Sequence, residues 1–397
     1  MSPSKGCRRD LQKRSLRNRL LRSPDTVLNA LRFAWIVILV WGEFGTFFWS
    51  LSSCRWPDDA LVRLTASHYP LCCSLCGKDT QVRPPRAFSH ESWLGSLRRL
   101  VFELNLRKNW YVTMRLRPHF VFFLGDMLAG GKYITSEAEY EAYIAKLDDV
   151  FPMPGSTQTF YLPGNNDIGM GEAKPMLPDI RILHQRRFGP LSQQVNVRNH
   201  TFVCLDAPGL VDEDYERAAL HRPFESWIPR QGGSIEFIET EGSKFEHPVI
   251  LLSHIPLARP DTASCGPLRE RGTIRRNVGY GFQSTLGKQT STFLLSAINP
   301  DVIFSGDDRD ACEYFHPFPG DPTRSVKEMT IKSFSMAKGI SRPGFQLLSI
   351  NDGTPGQPLS STLADTQCLL PDQYAIYTWF YLPFALATFF VVLFFNL

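Results

Sequence analysis

The segment RPHFVFFLGDML, Arg117–Leu128, decides the fold. Its centre, His119–Leu124, is a short, aromatic-rich run without a formal charge, and Gly125-Asp126 stops it abruptly. Strands run about 4–8 residues and helices about 10–12 or more, so a run this short, apolar throughout, reads as a strand buried on both faces. Three other segments share the pattern: Gln158–Leu162 into Pro163–Asp167, Pro248–Leu252 into Ser253-His254, and Asp301–Ser305 into Gly306–Asp310. Between them lie Ser92–Lys108 and Ser136–Val150, where apolar residues recur at three and four. Strands alternating with helices predict an α/β chain whose sheets are covered by helices. Cys265–Gly281, rich in Arg and Gly, reads as a surface loop near whatever the site binds.

Each of the four strands ends at a loop bearing Asp126, Asn165, His254 or Asp307. Ligands gather at the carboxyl ends of strands in α/β sheets. Two carboxylates, an amide oxygen and an imidazole form a mixed O/N set suited to Mn²⁺, Fe²⁺ or Zn²⁺. Taken singly, each residue reads equally well as a polar turn residue capping a strand or helix. As a set, each after an apolar run, they predict one shared cation site.

The ends of the chain carry a different signal. Phe33–Leu51, FAWIVILVWGEFGTFFWSL, has Glu43 as its only charge, and Tyr374–Leu397 has none. Both suit the hydrocarbon thickness of a bilayer. Glu43 is costly in lipid and is expected to face another helix or a polar path, and Pro383 is expected to kink the second span. Residues 1–26 hold eight Lys/Arg against Asp10 and Asp25, which places the amino terminus in the cytosol. The expected order is a cytosolic basic tail (1–27), a span (28–52), a lumenal body (53–373) and a second span (374–397). Of the net charge of +4, that tail contributes +6, so the remainder is mildly acidic and nucleic acid is excluded as the main partner. With 397 residues, 43% hydrophobic and 21% charged, the chain is neither disordered nor fibrous. The nine Cys are compatible with an oxidising lumen but specify no connectivity. Cys72-Cys73-x-x-Cys76 reads as small apolar residues rather than a metal knuckle, since no second pair or His follows at zinc-finger spacing. Asn199-His200-Thr201 is a glycosylation sequon, usable if the body is lumenal.

GDM at Gly125–Met127, GNND at Gly164–Asp167, SHIP at Ser253–Pro256 and GDDRDACEY at Gly306–Tyr314 resemble the successive signatures of calcineurin-like metallophosphoesterases. LNLRKNW (Leu104–Trp110), KSFSMAKGISRPGFQLLS (Lys332–Ser349) and CLLPDQ (Cys368–Gln373) resemble the fungal, membrane-anchored cell-division-control branch of that family. The branch is related to phosphodiesterases that remove ethanolamine phosphate from GPI glycans in the early secretory pathway. The resemblance covers roughly residues 79–397 and the first span. It implies a β-sandwich flanked by helices, held in an endoplasmic reticulum or Golgi membrane by two transmembrane helices. It also implies one or two divalent ions, with Mn²⁺ expected, and attack on phosphorus by metal-activated hydroxide.

Carried over residue by residue, Asp126 would bridge two metals, and Asn165, His254 and Asp307 would complete one shell. The other shell would need Asp79 and Gln81, matched only by Asp79-Thr80-Gln81, together with residue 309. There the chain departs from the pattern. Relatives usually carry His where this chain has Arg309, and a guanidinium has no lone pair to give. Gln81 offers only a neutral oxygen, so the second site is expected to be impaired. Asn166 replaces the His that relatives use toward the departing oxygen, and general acid catalysis supplies about 10²–10⁴-fold. Arg309 either takes the place of a missing cation and grips a phosphate oxygen, or fills a void and pairs with Asp308 or Asp310. Two functions from different classes therefore stand: a phosphodiesterase, and a catalytically weakened membrane adaptor that binds GPI glycans or cargo receptors through the same cleft. A soluble cytosolic phosphatase is at odds with both spans.

Overall fold

The computed structural model describes residues 24–57, 69–73, 93–128, 130–245, 248–336, 339–352 and 359–395. The chain divides into a body, Ser50–Pro371, and a smaller unit that carries the terminal helices. The four expected strands are present as β2 (Phe120–Phe123), β3 (Gln158–Tyr161), β6 (Val249–Ser253) and β9 (Val302–Ser305). The two expected helices run from Trp93 to Thr113 and from Glu137 to Val150, the latter capped by the Ser136 hydroxyl accepting from the Glu139 N–H at 3.2 Å.

Two mixed sheets build the body. The first has the order β13-β12-β1-β2-β3, with β1 at Tyr69–Cys73, β12 at Gly344–Ile350 and β13 at Leu363–Leu369. The second has the order β10-β11-β9-β6-β5-β4, with β4 at Gln193–Val197, β5 at His200–Leu205, β10 at Cys312–Phe318 and β11 at Asp321–Thr330. A small hairpin, β7 (Val278–Gly279) and β8 (Phe282–Gln283), stands apart. The central strands are parallel (β1–β2–β3 in one sheet, β5–β6–β9–β11 in the other), which sends their carboxyl ends to a common edge within each sheet.

Side-chain alternation explains the continuous apolar runs. In β6, Ile250 and Leu252 join the core between the sheets with Phe122, Phe202, Phe304 and Leu348, all without solvent exposure. Phe122 stacks on Phe160 of its own sheet and on Phe202 of the facing one, each at 5.0 Å. The alternate residues Val249 and Leu251 face a second cluster, shared with Leu210, Ile238 and Leu294 from the helices Ala207–Ala219, Ser234–Glu241 and Lys288–Ile298. On the outer face of the first sheet, Phe123 meets Trp110 and Phe151 of the Trp93–Thr113 and Glu137–Val150 region. The result is a β-sandwich with helices on both outer faces, as the resemblance implies.

Tyr69–Cys73 lies in a stretch with weak strand propensity, yet it forms a strand between β2 and β12. Pro70 is tolerated because the parallel ladder to β2 begins only at Leu71, paired with Phe120. Cys72 and Cys73 are paired with Leu347 and Gln346 in that sheet. Two disulfides supply connectivity that the sequence left open: Cys54–Cys368 and Cys265–Cys312. Cys204 is a free thiol buried in the core.

In the terminal unit, the helices Pro24–Ser52 and Gln373–Phe395 are both long and apolar enough to cross a membrane. Glu43 accepts a hydrogen bond from the Tyr381 hydroxyl at 2.7 Å, so the one charged residue in the first apolar run faces the other helix. Gly42 leaves room for the Tyr381 ring, which a β-carbon would strike. Both helices widen to a π-helical turn, at Trp41–Gly45 and Ile376–Tyr381. The second of these precedes Pro383, whose missing N–H and bulky ring a regular turn accommodates poorly.

Candidate metal centre

The loops after β2, β3, β6 and β9 meet at the edge where their strands end. Asp126 and Asp307 both sit in the left-handed backbone region, at φ 57° and 56°, which a side-chain-bearing residue adopts at a cost. Gly125 and Gly164 permit the crowding. A β-carbon at Gly125 would strike His254 Nδ1, and one at Gly164 would strike the Asp126 backbone and carboxylate. The glycines of the GD and GN motifs are therefore positions where the ligand loops approach closely.

Asp126, His254 and Asp307 are buried, and one donor atom from each lies within 4.8 Å of the others. His254 Nε2 stands 3.4 Å from Asp126 Oδ1, 3.9 Å from Asp307 Oδ1 and 3.1 Å from Asn165 Oδ1. The opposite ring nitrogen, Nδ1, is 2.6 Å from the Leu124 carbonyl oxygen. A carbonyl can only accept, so Nδ1 carries a proton, which leaves Nε2 as the nitrogen that can offer a lone pair to a cation. The Asn165 amide is oriented the same way: its Nδ2 donates to the Gly281 carbonyl at 2.7 Å, which turns Oδ1 toward His254. Three oxygens and one imidazole lone pair thus converge with their hydrogen-bond donors directed elsewhere. A cation satisfies that set, and the residues fit a divalent metal.

Asp167, the last residue of GNND, received no role from the sequence. It is fully buried and accepts from the backbone N–H groups of Asp126 at 2.8 Å, Leu128 at 2.7 Å and Gly164 at 2.8 Å. One carboxylate therefore ties the Asp126 loop to the Asn165 loop. Burial, and then the neighbouring charge of Asp126, push its pKa up to about 7. Its sequence signal was its place in the motif.

Asn166 sits against Asp126. Its backbone N–H donates to Oδ1 at 2.9 Å and its side-chain amide to Oδ2 at 2.7 Å. Arg309 is half-buried and lines a cavity of about 260 Å³ with Arg269, Arg271, Asp307, Asp308 and Asp310. Asp308 takes an ion pair from Arg269 at 3.0 Å, and Asp310 takes one from the buried Lys332 at 2.8 Å. Lys332 also holds Glu270 at 2.6 Å. Burial alone would raise the Glu270 pKa, but hydrogen bonds from Lys332 and from the Ser341 and Arg342 backbone outweigh it and bring it to about 2. Asp79 and Gln81 lie outside the described residues.

The Arg- and Gly-rich loop is at the site. Cys265 is bridged to Cys312, and Gly281 orients Asn165. Beyond it opens a cleft of about 1020 Å³, lined among others by Met170, Lys174, Arg181, Tyr215 and Tyr280. Phe282 borders both this cleft and the arginine cavity.

A family model described as calcineurin-like phosphoesterase matches residues 90–308. Cell division control protein 1 of Saccharomyces cerevisiae is 34% identical over 299 residues, which cover 71% of this chain and 57% of that protein's length. The metallophosphoesterase 1 homolog of Caenorhabditis elegans is 24% identical over 309 residues, 77% of this chain and 76% of that one. Among solved structures, a purple acid phosphatase from yellow lupin aligns with 79% of this chain and 56% of its own, at 13% identity and a TM-score of 0.42. With more than half of its length matched by the family model, and with the motif loops meeting at one donor cluster, this chain belongs to the calcineurin-like phosphoesterases.

Proposed function

We propose that this chain is a metal-dependent phosphodiesterase anchored in a secretory-pathway membrane, and that phosphoethanolamine on GPI-type glycans is its substrate. The observation that carries the reading is the buried convergence of Asp126, Asn165, His254 and Asp307 on one point. A divalent cation held there supplies Lewis acidity toward a phosphoryl oxygen and lowers the pKa of adjacent water. Three oxygen donors beside one imidazole favour Mn²⁺. If Asp79 and Gln81 reach Asp126, a second ion has donors there, but Arg309 contributes none.

The chain's own groups set the rest of the chemistry. His254 presents Nε2 because Nδ1–H is committed to Leu124, and Asn165 presents Oδ1 because its amide N–H₂ is committed to Gly281. Arg309 borders the same pocket as Asp307, and in this reading its fixed charge grips a phosphate oxygen. Asn166 can donate a hydrogen bond to a departing oxygen but cannot deliver a proton at neutral pH. Turnover should therefore depend steeply on how good the leaving group is. The cleft of about 1020 Å³ beyond Gly281 is large enough for a glycan arm.

Two disulfides in the body support an oxidising compartment, hence a lumenal body in the endoplasmic reticulum or Golgi with a cytosolic amino terminus. The two apolar helices support contact with the bilayer itself. The adaptor reading, in which the cleft binds GPI glycans or cargo receptors without turnover, is favoured by one feature: Asn166 is occupied with Asp126 rather than held ready as an acid. The experiment is hydrolysis of bis-p-nitrophenyl phosphate by the full chain in detergent with Mn²⁺. The phosphodiesterase reading expects turnover that His254→Ala removes. If the unmodified chain is inert and Asn166→His with Arg309→His creates activity, the adaptor reading prevails.

A further inference from the structure

The two ligands contributed by the second sheet are bracketed by a residue outside the metal cluster. Glu328 lies in β11, has no exposed atom, and carries a full carboxylate: burial alone would neutralise it, but Arg259 and His316 hold its pKa near 2. Its Oε1 accepts from the Leu257 backbone N–H at 3.3 Å and from the Ser305 hydroxyl. Its Oε2 lies 2.7 Å from Arg259 Nη2 and accepts from His316 Nε2. Leu257 is three residues past His254, and Ser305 is two residues before Asp307. One carboxylate oxygen thus touches both ligand-bearing segments.

The same network reaches further round the centre. Arg259 Nε donates to the Leu257 carbonyl at 3.3 Å, and Nη1 lies 3.1 Å from Cys312 Sγ, on the disulfide that fastens the Arg-rich loop. Ser305 is also hydrogen-bonded to Thr330 at 2.9 Å. On the side nearer the ligands, Gly306 N–H donates to the His254 carbonyl at 3.0 Å. Beyond the β6–β9 ladder, the two loops are therefore tied together by a backbone hydrogen bond and again through Glu328.

Stability alone gives this network little reason to exist. A buried ion pair loses most of its Coulomb gain to desolvation, and well-packed apolar residues often serve folding as well or better. Metal affinity is different, because donor atoms must meet an ion within about 0.2 Å of fixed distances. We infer that Glu328 is a positioning residue of the metal centre, which sets the spacing between the His254 and Asp307 loops. The inference rests on the proposal that those residues hold a cation.

The test is Co²⁺ or Mn²⁺ affinity of the full chain in detergent, measured by competition with a chelator, with the Co²⁺ absorption spectrum as a report on ligand geometry. Glu328→Gln should weaken binding by about 10–100-fold, the range for partners that orient metal ligands, and alter the spectrum. Because that change strands Arg259, the double variant Glu328→Met with Arg259→Met removes both charges. It should fold and still show the affinity loss. Ser305→Ala, which deletes one hydrogen bond, should show a smaller loss of several-fold. Ile238→Ala, in the helix-facing cluster, should lower the melting temperature with affinity and spectrum unchanged. Wild-type affinity in the double variant would overturn the inference, as would an equal loss in Ile238→Ala. If the unmodified chain binds no metal, the underlying proposal fails instead, and this one with it.

Discussion

The two sides of Asp307 differ in chemistry. Toward Asn165 and His254 lie lone pairs, with the matching donors turned away into Gly281 and Leu124. Toward residue 309 lie charges of both signs around a small cavity, Arg269, Arg271 and Arg309 beside Asp308 and Asp310, with Arg269 paired to Asp308. The first side offers lone pairs that fit a cation, and in the proposed function the second offers a phosphate the fixed charge of Arg309. If Arg309 grips a phosphate oxygen, position 309 exchanges one positive charge for another; if it only fills space, it does not.

The sharpest way to break that contrast is to remove a ligand from the first side. Asp126→Ala should reduce hydrolysis of bis-p-nitrophenyl phosphate by well over about 10²-fold, since even outer partners of a ligand cost that much. Normal activity in that variant would show that the donor cluster is not the catalytic centre. On the second side, Arg309→Ala should raise KM about 10–100-fold while metal content stays the same, matching the roughly 1.5–3 kcal/mol of a charged hydrogen bond. An unchanged KM would leave Arg309 as space-filling. Between the two sides, converting Cys265 and Cys312 to Ser should cost about 2–4 kcal/mol of stability, read from the denaturation midpoint, and should weaken turnover more than Cys54 and Cys368 do.

A smaller effect concerns acid. His184 and His200 are buried, and desolvation lowers their pKa values to about 3 and about 4. In the unfolded chain they would take up protons near pH 6.5, while the folded chain refuses them until far lower pH. Stability is thus fully present above about pH 6.5 and declines as pH falls toward 3, because the unfolded state binds more protons. Neither ring nitrogen of His184 meets a hydrogen-bond partner among the described residues, so His184→Leu should flatten that decline without loss at neutral pH. A denaturation series between pH 7 and 4 checks it, and an unchanged slope would count against it.

Legibility in the sequence followed a polar loop placed after an apolar run rather than burial alone, since β5 and β12 are buried throughout without giving that signal and β3 gave it while partly exposed. Val249–Ser253 and Val302–Ser305 announced themselves because both faces of each strand are covered, leaving no polar interruption until the ligand loop. β11 and β13 did not, because more than half of their residues are only partly buried or exposed and the pattern is diluted. β1 formed against its local propensity because it has a partner on each side, which is where tertiary context overrides preference. The ligands were readable as polar residues placed just after apolar runs. Their orienting partners were not: the Gly281 carbonyl, the Leu124 carbonyl and Glu328 act through folded geometry, and a glutamate in Arg324–Thr330 looks like any strand residue turned to water.

The central claim is that four strand-end groups share one cation. Metal content of the full chain, purified in detergent and measured against protein concentration for the unmodified form and His254→Ala, tests it most directly. At least one transition metal per chain, lost in the variant, is the predicted result. A chain that carries no metal after equilibration with Mn²⁺, or a variant that retains it in full, would contradict the account.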